Sequence, residues 1–574
     1  MTNICMEKII NTMEFNDLLL LLRQLRDEKV NGKLDEDEFS DNTKLWRNRL
    51  DYNILKMSIK SSYDEIKLEV LGLLVQSKKS TLRFTPKELE LILMFIKLNL
   101  GESLDFVPLI KKAFKRLKES WAVFNRNVMQ PEKFKTHKNK IGIDMNLYQQ
   151  LEEEYNCLAI KSQDAINNYR IFIVDVRNEC LNGICCGATH TRKKNSLSIL
   201  QLEQEILFDN LKELPWNEIE ADKLFQCLLM DTYEANKEIA FKIIRNIKPA
   251  LLKLEDSIVV YEIVDVALKL ANSVRPIDSI TALYMLRICL MSPVIGETLK
   301  KWSLDNIQDP TLQLINLILN HLRDPTKLAN ENIIAAVAKH SLYGYIYCIN
   351  GLISSYNFRK ITTHQAWLET VAEIIKISLS LNTAISVVVN NSSPEGHFPM
   401  DFERKFFNDD INESDLTTVT PQMVLLCSWR TVKEVSLLFG HLAMKCPIEN
   451  ESSELGLICE RQIVDIGSHL VTLLSETKHR GAFEQAHIGF EKLCTRLWRL
   501  KQKHLRQLPK IWLYDLLLAI TGSSSGNSKL CATRRSAGVP FMVQVRSVNQ
   551  YCIIINDYLF KVALFCTHLL NLPI

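Results

Sequence analysis

The chain predicts an all-α fold, an α-solenoid of HEAT- or armadillo-like helical repeats. Three observations lead there. Apolar residues recur at helical spacing along nearly the whole length. Gly (18) and Pro (16) are scarce for 574 residues, whereas sandwiches and barrels need many turn residues. No run of alternating strands interrupts the helices. A chain this long exceeds what one hydrophobic core supports, and repeat units of about 40–47 residues would fit on the order of a dozen times. No strict internal repeat aligns, and HEAT-type units commonly diverge that far.

Taken in order, Thr85-Pro86-Lys87-Glu88 reads as a capping box with proline at the first helical position. Leu89, Ile92, Leu93 and Ile96 follow as one apolar stripe. Val107, Ile110, Phe114, Leu117, Trp121 and Phe124 repeat the pattern. Further helices are predicted over Asn236–Ile247, Asp256–Ala271, Ser279–Leu290, Pro310–Leu322, Asn332–Ala338, Trp367–Leu381, Gln422–Leu442 and Glu460–Leu474. Three segments read as loops. They are Asn127–Gly142, with Pro131 and four lysines, Asn182–Asn195, with Cys185-Cys186, and the acidic Asn390–Pro421. This gives N-terminal helical repeats over 1–181, central repeats over 182–389, a distinct helical region over 390–543 and a divergent tail over 544–574.

A net charge of +3 implies no nucleic-acid binder by itself, so any basic footprint must be local. The 15 cysteines never form Cys-x-x-Cys, which speaks against a zinc ribbon or a redox pair. They sit mostly in apolar runs, as buried thiols of a reducing compartment do. The Leu18–Leu22 run is too short for a signal peptide, and no apolar stretch approaches the ~20 residues that cross a bilayer. A cytoplasmic protein without membrane insertion is expected.

Enzyme machinery is missing from the sequence. There is no Gly-x-Gly-x-x-Gly after a strand, no His-Glu-x-x-His and no Gly-x-Ser-x-Gly. Gly522–Lys529 has the wrong spacing for a phosphate-binding loop, because lysine must directly follow the second glycine. No cofactor, metal or catalytic residue is expected.

Candidate contact residues are basic. Lys111, Lys112, Lys115 and Arg116 lie off the apolar stripe of one helix and would meet phosphates without reading sequence. The plain alternative is a solvated face. In the next candidate helix, Trp429 packs, Arg430 is spaced to pair with Glu434, and Arg430 and Lys433 are placed to reach a partner. Lys478 and Arg480 would close a helix with cations, and Gly481 would permit the turn. Arg534 and Arg535 open another helix, where the dipole disfavours them, so an acidic neighbour or a phosphate should compensate. Gly538 and Pro540 follow in a stretch small enough for close backbone approach.

Three of these stretches, Ser428–Ser436, Lys478–Glu484 and Arg534–Pro540, occur in an order and spacing that resembles the signature region of the thyroid adenoma-associated protein family. Ser393-Pro394-Glu395-Gly396 before Pro399, and Pro509-Lys510-Ile511-Trp512-Leu513, add to the resemblance. Weaker similarity reaches back to Asp231–Glu234, Asn236–Glu238 and Arg275-Pro276. The resemblance implies an α-solenoid and a non-catalytic regulator. Such a regulator would bind tRNA and an FtsJ-type methyltransferase and direct 2′-O-methylation of nucleotide 32 in the anticodon loop. Family members are much longer, and Gln544–Ile574 reads unlike them, so a fragment is expected. The competing reading is a solenoid protein scaffold with no RNA role.

Overall fold

The computed structural model describes residues 15–34, 45–47, 49–136, 145–302, 308–361, 364–393, 419–449 and 456–520. Among these residues there are twenty α-helices and one two-residue hairpin, β1 (Leu45–Trp46) antiparallel to β2 (Leu50–Asp51). The helical expectation holds. The chain divides into two compact units, residues 1–252 and 253–574. Residues 181 and 389, expected as boundaries, both lie inside helices.

The first unit runs through α1 (Phe15–Val30), α2 (Tyr52–Ile59), α3 (Asp64–Val75), α4 (Pro86–Asn99), α5 (Val107–Thr136), α6 (Met145–Gly183), α7 (His190–Leu207), α8 (Glu218–Met230) and α9 (Glu234–Ile244). The Thr85 hydroxyl accepts from the Glu88 amide, and Glu88 reaches back to the Thr85 amide, so the capping box forms as expected.

The Glu88 carboxylate then does a second job in the interior. It is fully buried. Trp46 donates to it at 3.0 Å, and Lys29 and Arg116 lie 3.6 and 3.7 Å away. Both cations also cap a helix C-terminus. Lys29 donates to the Leu73 and Leu74 carbonyls, and Arg116 to those of Leu74 and Val75. The orphan carbonyls at the end of α3 are thereby satisfied where water cannot reach. Lys237 repeats the device at the end of α8, donating to Leu228 and Leu229.

Two expected loops are largely helix. α5 continues through Pro131 to Thr136, because Phe134 is stacked on Tyr148 at 4.7 Å and meets Tyr155 at 5.1 Å. That aromatic packing outweighs the hydrogen bond proline cannot donate. In the second, α6 extends to Gly183 and α7 starts at His190 under a Thr189 cap, leaving a short joint.

The second unit contains α10 (Ser257–Ala271), α11 (Pro276–Cys289), α12 (Ile295–Leu299), α13 (Pro310–Glu331), α14 (Ile333–Lys339), α15 (Tyr343–Ser355), α16 (His364–Asn391), α17 (Pro421–Lys445), α18 (Glu460–Glu476), α19 (Arg480–Arg499) and α20 (Lys503–Ile520). α17 is its centre and packs on α15, α16 and α19. Small residues let α17 and α19 approach closely. A Cβ added at Gly489 would lie 2.2 Å from the Ser436 carbonyl oxygen, and one at Gly440 would lie 3.1 Å from the Gly489 Cα. Trp512 of α20 lies on Gly467 of α18 in the same way.

One helix, α16, is long and apolar enough to cross a bilayer by length and composition. This corrects the expectation that no stretch approaches that length. Its apolar residues, Trp367, Val371, Ile374, Leu381, Ile385 and Val388, are buried against α13, α17 and α18.

Candidate partner and nucleic-acid interfaces

In the first unit, the buried side of α5 is formed by Ile110, Ala113, Phe114, Leu117, Trp121 and Phe124. Helical geometry turns Lys111, Lys112, Lys115 and Lys118 outward, and all four are exposed. Among the described residues none of them makes an ion pair, in contrast to the within-helix pairs Lys242–Glu238 and Lys269–Asp265. The exposed cations continue down the same helix with Arg126 and Lys133.

Arg116 does not belong to this face. It is 3% exposed and bonded to four backbone carbonyls, those of Leu74, Val75, Leu82 and Arg83. Its ring-side contact is Phe84, 3.9 Å from the guanidinium carbon to the ring centroid. One residue on from Lys115, the ~100° turn per residue of the helix carries Arg116 toward the gap between α3 and α4. Arg116 is therefore a structural cation, which corrects its expected place on the exposed face.

In the second unit the structure brings two of the three sequence blocks into contact. The Trp429 indole stacks on His479, with centroids 5.1 Å apart and planes 15° from parallel. Gly481 lies under the same indole, where an added Cβ would be 3.2 Å from the ring. Burial holds the His479 pKa below the usual imidazole value, so this partner of Trp429 is neutral. On the other side of the block, the Arg430 guanidinium lies 4.9 Å from the Trp429 ring and 5.6 Å from the Tyr343 ring. The expected Arg430–Glu434 pair does not form. Glu434 pairs with Lys433 at 3.3 Å instead.

Tyr343 is fixed from two directions. Its hydroxyl donates to the Val274 carbonyl at 2.8 Å, directly before Arg275-Pro276. Its amide donates to the Ser341 carbonyl at 2.8 Å across Leu342, which has φ +66° and ψ −51°. This is a tight γ-turn in a conformation non-glycine residues rarely adopt, and such strain is held only where surroundings enforce it. Here Leu342 is fully buried, and Gly344 brings α15 against the Ala271 carbonyl.

The Lys478–Gly481 block is placed differently from the expectation. α18 ends at Glu476, and Arg480 and Gly481 begin α19. Arg480 thus sits at a helix N-terminus, not a C-terminus, and its exposed guanidinium pairs with Glu484 one turn on at 2.7 Å. The lone Gly signal suggested a turn, but what the position meets is the close packing of Trp429, which favours a small residue. Lys478 is half-buried. Arg534, Arg535, Gly538 and Pro540 lie outside the described residues.

Tyr343 and His479 are the residues the sequence did not single out. Tyr343 carries no local signal, because it reaches Arg430 only when α15 packs on α17, and His479 lies inside the Lys478–Glu484 block without any sign in the sequence that it faces Trp429. Among the described residues no group of three or more His, Cys, Asp or Glu could hold a metal ion, and the cysteines are free thiols.

These features define a helical-repeat protein with a lysine-rich face in the first unit and an arginine-aromatic cluster in the second. Two family models match it. One, described as THADA/TRM732, DUF2428, covers residues 369–549, and the other, described as Trm732, TPR repeats, covers residues 5–222. The chain belongs to the THADA/Trm732 family. It is 28% identical over 564 residues to the tRNA (32-2′-O)-methyltransferase regulator THADA of Gallus gallus, covering 85% of this chain and 28% of that protein. Against the Homo sapiens protein of the same name it is 27% identical over 577 residues, covering 88% of this chain and 28% of that protein. The tRNA (32-2′-O)-methyltransferase regulator trm732 of Schizosaccharomyces pombe is 27% identical over 326 residues, covering 55% of this chain and 19% of that protein. The chain thus spans less than a third of the length of these relatives.

Proposed function

We propose that this chain is a non-catalytic regulatory scaffold for tRNA ribose methylation. It binds tRNA and an FtsJ-type methyltransferase and directs 2′-O-methylation of nucleotide 32 in the anticodon loop. The observation that carries this reading is membership of a family whose matched relatives are named regulators of tRNA (32-2′-O)-methyltransferase. A regulator of this kind supplies position rather than bond chemistry. Holding an enzyme and its substrate together raises their effective concentration and fixes orientation, which lowers the barrier without any catalytic group on the scaffold.

The lysine face of α5 suits the RNA side of this task. Exposed, unpaired ammonium groups release counterions from phosphates and read no sequence. That suits a scaffold, because the enzyme's active site and the anticodon loop select the nucleotide. The site of action proposed is the cytoplasm, in keeping with the free thiols.

The test combines the purified chain, a tRNA substrate and the FtsJ-type enzyme. The enzyme should be captured by the chain, and methylation of nucleotide 32 should require both proteins. Binding of tRNA by the chain should weaken as salt rises, and replacing Lys111, Lys112 and Lys115 with alanine should shrink the slope of log affinity against log salt by roughly 0.7–0.9 per lost contact. A chain that captures proteins but shows no salt-dependent tRNA binding would instead be a protein scaffold.

A further inference from the structure

We infer that Arg430 is the anchor of a docking site for a single carboxylate on a partner protein, and that RNA is held elsewhere. The inference deepens the functional proposal by assigning the arginine-aromatic surface to the protein partner.

The starting point is an uncompensated charge. Arg430 is half-buried in the middle of α17, and its Nε is buried with no hydrogen-bond acceptor among the described residues. No carboxylate pairs with it there. Its described contacts are the rings of Trp429 and Tyr343. A cation drawn partly out of water costs free energy until an anion meets it.

The guanidinium is also held ready. Trp429 is fixed by His479 and Gly481, and Tyr343 by Val274 and the strained turn at Leu342. Stacking between fixed rings restricts the arginine rotamers before any partner arrives, so less entropy is lost on binding. A planar fork fits a carboxylate with two parallel hydrogen bonds.

The surrounding charges choose the kind of anion. The neighbouring cations Lys433 and Arg480 are already paired, with Glu434 and Glu484. Lys433 and Arg480 therefore add little net field that could hold a chain of phosphates at Arg430. A single side-chain carboxylate would not need the wider field. The lysine face of α5 has the opposite character, with four exposed cations and no ion pair among the described residues. Tryptophan, tyrosine and arginine together are also the residue types that anchor protein interfaces.

The test uses the full chain at physiological ionic strength and two fluorescent probes, a peptide with one glutamate flanked by neutral residues and an oligouridylate. Arg430→Ala should weaken peptide binding tenfold or more and leave uridylate binding unchanged. Arg430→Lys keeps the charge and the aliphatic stem but lacks the fork, and it should not restore peptide affinity. A melting temperature within experimental error of the parent confirms that the variant is folded. Should alanine unfold the unit, the lysine variant decides the matter. Unchanged peptide affinity in both variants, or no peptide binding by the parent, overturns the inference. Loss of uridylate binding alone makes the site an RNA contact and overturns it too. A chain that binds the peptide through Arg430 yet never captures the methyltransferase would sink the functional proposal and leave this docking site standing.

Discussion

The indole of Trp429 and the imidazole of His479 lie face to face, 5.1 Å apart, and fasten the corner between α18 and α19 onto the middle of α17. Gly481 leaves room for that arrangement. A Cβ there would touch the indole at 3.2 Å, a gap the ring can nearly accommodate, whereas a branched side chain would force it away. Gly481→Ala should therefore shift the melting temperature little. Gly481→Val should overpack the corner and cost about 1–3 kcal/mol. Equal melting temperatures for the two variants would show that the indole is not held against this position.

A sharper contrast is expected at the crossing of α17 and α19. The obstacle to a side chain at Gly489 is backbone, since the Ser436 carbonyl oxygen would lie 2.2 Å from the new Cβ. A carbonyl within a helix cannot rotate away, so the helices themselves must separate. Gly489→Ala should cost at least ~3 kcal/mol, the upper end of overpacking penalties. Gly101, with nothing within 4 Å of an added Cβ, is the control. Its alanine variant should be neutral or more stable by about 0.4–1 kcal/mol through the unfolded chain. Thermal melts of both variants decide.

Helix α5 separates a structural cation from binding ones. Arg116→Ala removes the donor for four carbonyls and one of the cations facing buried Glu88. Leaving a buried charge underpaired costs on the order of 3–5 kcal/mol. Lys111→Ala, Lys112→Ala and Lys115→Ala touch only solvent and should each stay within about 0.5 kcal/mol of the parent. Denaturant unfolding followed by far-ultraviolet circular dichroism provides the measurement. A stable Arg116→Ala protein would contradict the burial argument.

The same helix shows what the sequence made legible. Its apolar stripe predicted the buried side correctly, because the 3.6-residue period is a local property. The period alone placed Arg116 outside that stripe. It could not show that the chain before α4 offers Arg116 a ring of carbonyls, which is a long-range fact. Pro131 misled for a related reason, since the aromatic cluster of Phe134, Tyr148 and Tyr155 arises only when α6 returns alongside. Trp429 and Arg430 were visible as a motif, but Tyr343 and His479 complete the motif through packing. Arg480 was assigned the wrong helix end because its block spans the joint, where a shift of two residues exchanges one terminus for the other.

The two units should respond to acid in a set order. In the second unit, burial lowers the His469 pKa to about 4, and burial with Lys492 and Lys445 lowers that of His441 to about 4. Both imidazoles are held neutral, His469 accepting from Asn382 at 3.0 Å and His441 from Lys492 at 2.8 Å. For a base with a depressed folded pKa, the unfolded chain takes up the proton first. The stability is therefore complete above the ordinary value of 6.5 and is lost as pH falls toward 4. For the well-buried His469 the loss is roughly 3 kcal/mol. In the first unit the sign is the same but the window lies lower. Burial alone would raise the Glu88 pKa, but Lys29, Arg116, Arg47 and the Trp46 N–H bring it down to about 2. Its contribution is complete above 4.5 and is lost only as pH falls toward 2. Glu203 works the other way. Burial against the opposing pull of Arg177 raises its pKa to about 7, so acidification from 7 to 4.5 relieves rather than weakens the first unit. Hydrogen exchange between pH 7 and 4, corrected for intrinsic rates, should show α17–α19 opening while α3–α5 stay protected. His469→Gln keeps an acceptor for Asn382 without titrating, and should flatten the pH dependence of the second unit. Earlier opening of α3–α5, or an unchanged slope in His469→Gln, would contradict this order.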